Sequence, residues 1–390
     1  MAVPHEPDQA YEPDEAYEPD EAYEPDEYRV TTLELFFDLV FVFAITQLTS
    51  VLAHDMSPRG LAEVVLMFGV LWWMYAGYAW LTNMTAPTTV ARRLLVLVGM
   101  GGFFMIALAT PSAFGSGGVV WGLGYLILVL AHVVLYAQGN PAILRVLPAN
   151  LLAAVLIIAA GLLDHGAPVY VLWTLALVVP IAQPYIVPPG GRFDIRAGHI
   201  VERHGLLVMI TIGESVVAVG AGAGHQELDA GLIVTVLLGL ALAASVWWTY
   251  FARDDADAER TLSEADAAER TTMTMFGYFY AHIPLIVGII VLAAGVKSAV
   301  AVSWHSLGYR PSLALALGTA AFLLGDARFR RVVRIGPSRI RVAAAVACVI
   351  AVPLAHWSAP VGIAALTAIL SAAQLSEHAV RTRRSAAVPR

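Results

Sequence analysis

From residue 30 onward the chain is a succession of apolar stretches of roughly 20 residues, the length a helix needs to cross a hydrocarbon core of about 30 Å. Twelve recur, at about 31–53, 60–81, 93–111, 118–138, 147–163, 167–187, 200–222, 229–251, 272–296, 312–326, 340–357 and 360–377. The tenth, SLALALGTAAFLLGD, is the shortest. Backbone amides left open in lipid have no partner, so such segments fold as helices. The expected fold class is therefore all-α, a polytopic integral membrane protein with about twelve transmembrane helices. Composition agrees, since 58% of the 390 residues are hydrophobic and only 14% are charged, too apolar a balance for a water-soluble globule. Nucleic-acid binding is excluded on the same ground. A single cysteine, Cys348 within an apolar run, excludes a disulfide framework, a cysteine-built zinc site and a CxxC redox pair. The N-terminus lacks the basic-then-apolar order of a cleavable signal peptide, so the first apolar segment is expected to stay in the mature protein.

The net charge of −7 is misleading, because residues 1–28 carry 11 of the 30 acidic groups and no Lys or Arg. Residues 11–28 read YEPDEA, YEPDEA, YEPDEY. Ordering such a repeat would cost backbone entropy with almost nothing to bury, so a disordered acidic tail or partner-docking spacer is expected there. The remaining chain holds 23 basic against 19 acidic residues, a surplus of four. With twelve crossings, 20 of the 23 basic residues fall on the N-terminal side, and only Arg59, Lys297 and Arg310 fall on the other. The positive-inside rule then makes both termini cytoplasmic.

A duplication shows through the apolar pattern. ELFFDLVFVFAITQLTSVLA from Glu34 aligns without gaps against ERHGLLVMITIGESVVAVGA from Glu202. Each is followed by a helix opening on Gly-Leu, at Gly60 and Gly231, and closing on WWMY or WWTY, at Trp72 to Tyr75 and Trp247 to Tyr250. The domains read as the tail 1–28, a first six-helix half 29–195, a second six-helix half 196–380 and a basic tail 381–390. Six is even, so the halves would be related by an axis along the membrane normal. The tryptophans Trp72, Trp73, Trp247 and Trp248 read as interfacial anchors.

Ionisable residues at bilayer depth each need a partner, a wet cavity or neutralisation. Glu34 and Asp38 are four apart, on one face of the first helix, and are expected to share a cavity. Glu214, in MITIGESVVAV, and His282, in MFGYFYAHIPLIVGII, fall ten to fourteen residues past the start of their segments. That spacing places both near the midplane, as mutual partners whose proton affinities burial draws together. Pro284 and Gly213 break or open the backbone beside them. Arg203 is expected to pair with a first-helix carboxylate. His199 and Glu202 are three apart, yet no third ligand is implied and no metal is expected. The acidic ARDDADAER stretch from Ala252 is not DDxxD and reads as a solvated loop. GAGAG at 220–224 follows a membrane helix, so it is not a dinucleotide fingerprint.

With ELFFDLVFVFAITQL at 34–48, ERHGLLVMITIGESVVAVG at 202–220 and YFYAHIPLIVGII at 278–290 in view, the chain resembles the bacterial low temperature requirement A family from about residue 30 to 380. By that resemblance Glu34, Phe37, Asp38, Glu202, Arg203, Gly213, Glu214, Ser215, His282 and Pro284 match family motif positions. His204 departs from the aromatic residue usual after Glu-Arg, and Ala252-Arg253 stand where an acidic residue commonly follows. The family name records a growth phenotype, so the resemblance implies a fold and a location, the bacterial cytoplasmic (inner) membrane, and leaves the chemistry open.

Three functions are compatible with these residues. One is a transporter or exchanger of a small substrate through a buried acidic site, with Glu214 and His282 central and Glu34, Asp38, Glu202 and Arg203 contributing to binding. A second is a membrane-embedded enzyme on a lipid or isoprenoid substrate, with Asp38 or Glu214 as general acid, His282 beside it, and arginine-rich loops holding a phosphate. A third is a scaffold whose acidic tail recruits partners. The expected partners are membrane lipids and an unknown small molecule or lipid, possible oligomers included. No cofactor is implied.

Overall fold

The structure, a computed structural model, describes residues 30–84, 88–137, 144–163, 166–186, 195–224 and 226–386. The acidic repeat expected over 1–28 lies outside the described residues, as do residues 387–390 of the expected basic tail. Among the described residues all regular structure is helical. The first half holds α1 (Thr32–His54), α2 (Pro58–Met84), α3 (Val90–Ala109), α4 (Gly118–Ala137), α5 (Leu147–Gly161) and α6 (Ala167–Ile186). The second holds α7 (Ala197–Ala223), α8 (Ala230–Phe251), α9 (Asp254–Glu264), α10 (Ala267–Met273), α11 (His282–Val302), α12 (Tyr309–Val333), α13 (Arg339–Ile350), α14 (Val352–Trp357) and α15 (Ala359–Ala386). A helix occupies each of the twelve apolar segments. Among the described residues ten spans, some made of consecutive helices, are long and apolar enough to cross a membrane; Leu147–Gly161 and Ala167–Gln183 are apolar but shorter.

Local chemistry sets several ends. Thr31 caps α1 by accepting from the Glu34 amide, and Glu34 Oε2 reciprocates by accepting from the Thr31 amide at 2.9 Å. This capping box satisfies donors that the first turn of a helix leaves open. Asp229 caps α8 through the Leu232 amide at 2.7 Å, and Asp266 caps α10. Between α10 and α11, residues Thr274–Tyr280 form a π-helix. Pro284 follows four residues after Tyr280 and cannot supply the amide that an α-helical Tyr280 carbonyl would accept. A widened turn just before a proline is a common accommodation of that loss.

α11 is the most buried helix and packs against α1, α7, α8 and α12. Its contact with α12 is backbone-close and antiparallel. A Cβ at Gly288 would lie 2.4 Å from the Phe322 amide nitrogen, and one at Gly318 would lie 2.4 Å from that of Leu292. Small residues allow such approach where lipid provides no hydrophobic drive between helices.

Two readings are corrected here. α12 extends well past 312–326, through Asp326, Arg328, Arg330 and Arg331, because Asp326 and Arg330 find buried ion partners. ARDDADAER is not a solvated loop. It opens α9, and Asp254 is only 2% exposed. The tryptophans divide as well. Trp247 and Trp248 are outward-facing, whereas Trp72 is buried and donates its indole N–H to the Phe279 carbonyl at 2.8 Å.

Candidate functional site

α1 and α7 run parallel, and their shared seam carries most of the titratable groups singled out above. At the end where both helices begin, Arg203 lies fully inside the bundle at 1% exposure. It donates from Nη1 to Glu34 Oε1 and from Nη2 to Asp38 Oδ1, both at 3.0 Å, and Nη1 also contacts Thr82 Oγ1 of α2. Its guanidinium stacks over Phe37 and Tyr75, with centroid distances of 5.6 and 5.7 Å. A planar, weakly hydrated cation suits this combination of forked pairing and aromatic contact.

His199, one turn earlier on α7, adds to the same carboxylate. A carboxylate only accepts, so His199 Nε2 donates to Glu34 Oε1 at 3.0 Å. In the neutral imidazole Nδ1 then accepts from Asn83 Nδ2 at 3.3 Å, and Asn83 also bonds both backbone groups of Arg196. Glu34 therefore closes a cap with one oxygen and an ion cluster with the other. Glu34 and Asp38 do share one site, but it is a closed, ion-paired cluster with both carboxylates fully buried rather than an open cavity. Glu202 points elsewhere. It is exposed and accepts from the Val30 amide at 3.1 Å.

Next to Arg203 on α7, His204 meets His282 of α11 with ring centroids 5.4 Å apart. Trp72, Tyr278 and Phe279 surround His204, and Tyr278, Tyr250 and Phe329 surround His282. His204 thus fills an aromatic cage, which is why an aromatic ring would fit the same place. The Gly277 carbonyl can only accept, so His282 donates from Nδ1 at 3.0 Å, and Nε2 accepts from the Tyr250 hydroxyl at 3.0 Å.

Glu214 and His282 are not partners. His282 sits at the level of His204, and Glu214 is ten residues further along α7, about 15 Å at the helical rise. The expected common depth fails because α7 begins at Ala197, ahead of its apolar run, and because the ninth segment opens with α10 and the π-helix. Glu214 instead accepts a 2.7 Å hydrogen bond on Oε2 from Thr46 of α1. That is its only hydrogen bond among the described residues. The side chain keeps 7% exposure, and Lys297 of α11 is the cation whose charge reaches it.

A second ion network lies at the same end of the bundle as the Arg203 cluster. Arg330 of α12 pairs with Glu377 of α15 at 2.9 Å and approaches Asp254 at 3.6 Å. Arg341 of α13 pairs with Asp254 at 3.0 Å, with Glu377 at 3.1 Å and with Asp326. Nothing in the spacing of these residues foretold the network, because its members come from four helices. Other missed groups had local signals. Thr31-x-x-Glu34 is a readable capping box, and Thr82-Asn83 is a polar pair at the end of an apolar run. Thr46 and Tyr250 are single hydroxyls, and no sequence pattern separates them from other helix residues.

A helical bundle with membrane-length spans, a buried arginine held between two carboxylates and a lone carboxylate further along the same seam defines a multi-pass membrane protein. The sequence profile described as bacterial low temperature requirement A protein (LtrA) matches residues 29–375, and the chain belongs to that family. It is similar to an uncharacterized protein of Rhizobium meliloti (strain 1021), 30% identical over 315 residues that cover 77% of this chain and 76% of the relative.

Proposed function

We propose that the protein is a transporter or exchanger whose acidic α1–α7 seam takes up a proton or small cation from the cytoplasmic side. Glu214 carries the reading. A carboxylate inside a membrane bundle, with one neutral hydroxyl as its hydrogen-bond partner and no ion pair among the described residues, is suited to take up a proton or a cation. The Arg203 cluster sets two carboxylates, Glu34 and Asp38, against one guanidinium, with His199 hydrogen-bonded to Glu34 beside them.

The same proposal includes twelve crossings, cytoplasmic termini, an inner-membrane location and two six-helix halves. Thr46 and Glu214 are 168 residues apart, the offset that aligns the first and seventh segments. Contact between equivalent positions on parallel helices is what an axis along the membrane normal, passing between α1 and α7, would produce. Lipid chemistry with Asp38 as general acid is the less favoured alternative, because Arg203 already engages that carboxylate. The test is flux into proteoliposomes carrying a pH-sensitive dye under imposed proton or sodium gradients. Glu214→Gln should abolish flux while leaving a folded protein, and undiminished flux in that variant would remove the proposal.

A further inference from the structure

Beside the second ion network, a pocket of about 330 Å³ opens between the ends of α8 and α15, with Arg253, Asp254 and Arg341 completing its wall. That volume lies within the range of about 300–1,000 Å³ typical of small-ligand sites. The charges of the network and the pocket wall do not balance. Asp254, Asp326 and Glu377 face Arg330, Arg341 and Arg381, the last at 3.8 Å from Asp254. Three carboxylates thus meet three guanidinium groups. Arg253, also on the pocket wall, adds a fourth cation with no hydrogen bond or ion pair among the described residues, and exposed His378 stands beside it. The pocket therefore presents unmatched positive charge, in a wall whose buried members are fixed by the network behind them.

Its position indicates where an anion would come from. Trp248 lines the pocket, is 56% exposed, and stands near the end of α8, whose Ile233, Leu237 and Leu240 are also exposed. A helix with that outward face lies against lipid, and an exposed indole at its end marks the headgroup level. We propose that this pocket binds a phosphate-bearing anion, presented as the headgroup of an anionic lipid, with Arg253 and Arg381 as the charged ligands and Trp248 against the glycerol region. Basic pockets between membrane helices suit such headgroups, and arginine suits phosphate through its planar fork. The site is separate from the α1–α7 seam, so it does not depend on the transport reading.

The test uses the full-length protein in neutral detergent, with melting temperature and native mass spectrometry as readouts. Phosphatidylglycerol, phosphatidylcholine and inorganic phosphate are titrated separately. Phosphatidylglycerol should remain bound and raise the melting temperature by linkage, whereas phosphatidylcholine should do neither. Arg253→Ala should weaken phosphatidylglycerol binding roughly tenfold, the loss expected for one charge-assisted contact. Arg253→Ala combined with Arg381→Ala should weaken it further. Arg339→Ala, an exposed cation at the same end but outside the pocket, should leave it unchanged. An equal effect from inorganic phosphate, lost in the same variants, would assign the phosphate site to a free anion instead of a lipid. Arg253 makes no ion pair, so its single substitution should not unfold the protein. Undiminished phosphatidylglycerol binding in Arg253→Ala, or equal weakening by Arg339→Ala, would overturn the proposal.

Discussion

Thr46 of α1 donates a 2.7 Å hydrogen bond to Glu214 of α7 across the seam between two parallel helices. Each residue falls at the other's position when the two segments are superposed in sequence, yet one is a hydroxyl and the other a carboxylate. The seam thus joins two aligned positions that differ in charge.

Glu214 and Thr46 should separate chemistry from packing. Interhelical hydrogen bonds in membranes average about 0.6 kcal/mol, so Thr46→Val should shift the detergent melting point only slightly and reduce ion flux without abolishing it. Glu214→Gln keeps a group that can accept from Thr46 and should melt like the parent with no flux. A large loss of stability in Glu214→Gln would mean that the carboxylate is structural.

The Arg203 cluster should behave oppositely. Removing one partner of a buried ion pair costs about 3–5 kcal/mol, so Asp38→Ala and Arg203→Ala should each lower thermal stability sharply, and Arg203→Lys should not restore it because a lysine cannot span both carboxylates. A melting temperature within a degree of the parent for Arg203→Lys would contradict the forked geometry.

His282 and Tyr250 can be tested as a pair. His282→Phe leaves the Tyr250 hydroxyl without its acceptor, at a cost of about 1–3 kcal/mol. Adding Tyr250→Phe should recover part of that loss, giving a favourable coupling energy in a double-mutant cycle. Strict additivity would mean that the two side chains do not interact.

Membrane sidedness is open to cysteine labelling. Cys348 is fully buried, and a Cys348→Ala background carrying Ser263→Cys or Ser306→Cys places single thiols at opposite ends of the bundle. In intact cells an impermeant reagent should label Ser306→Cys and spare Ser263→Cys. The reverse pattern would invert the proposed orientation.

How much was legible follows from the range of each interaction. The apolar runs announced a helix in every expected place, because backbone satisfaction in lipid depends on the segment alone. Glu34, Asp38 and Arg203 were readable as a group, since charges in so apolar a setting leave few alternatives. Depth was not readable. Counting from the first apolar residue put Glu214 and His282 side by side, but polar residues at the start of α7 and the π-helix ahead of His282 lie within the helical run and displace the count. Asp254 was misjudged for a related reason: its partners Arg330, Arg341 and Arg381 lie 76 or more residues away in the chain.

The π-helix over Thr274–Tyr280 has a consequence for the whole second half. It acts as a phase change in the screw: the stripe that α10 presents and the stripe that α11 presents differ by the extra residue wound between them. Inserting a further residue there, where the winding is already widened, would turn everything beyond it by about 100°, swinging Gly288 away from α12 and His282 away from Tyr250 in one stroke. The length of this stretch is therefore a gauge setting, and insertions that a surface loop absorbs would be intolerable in it.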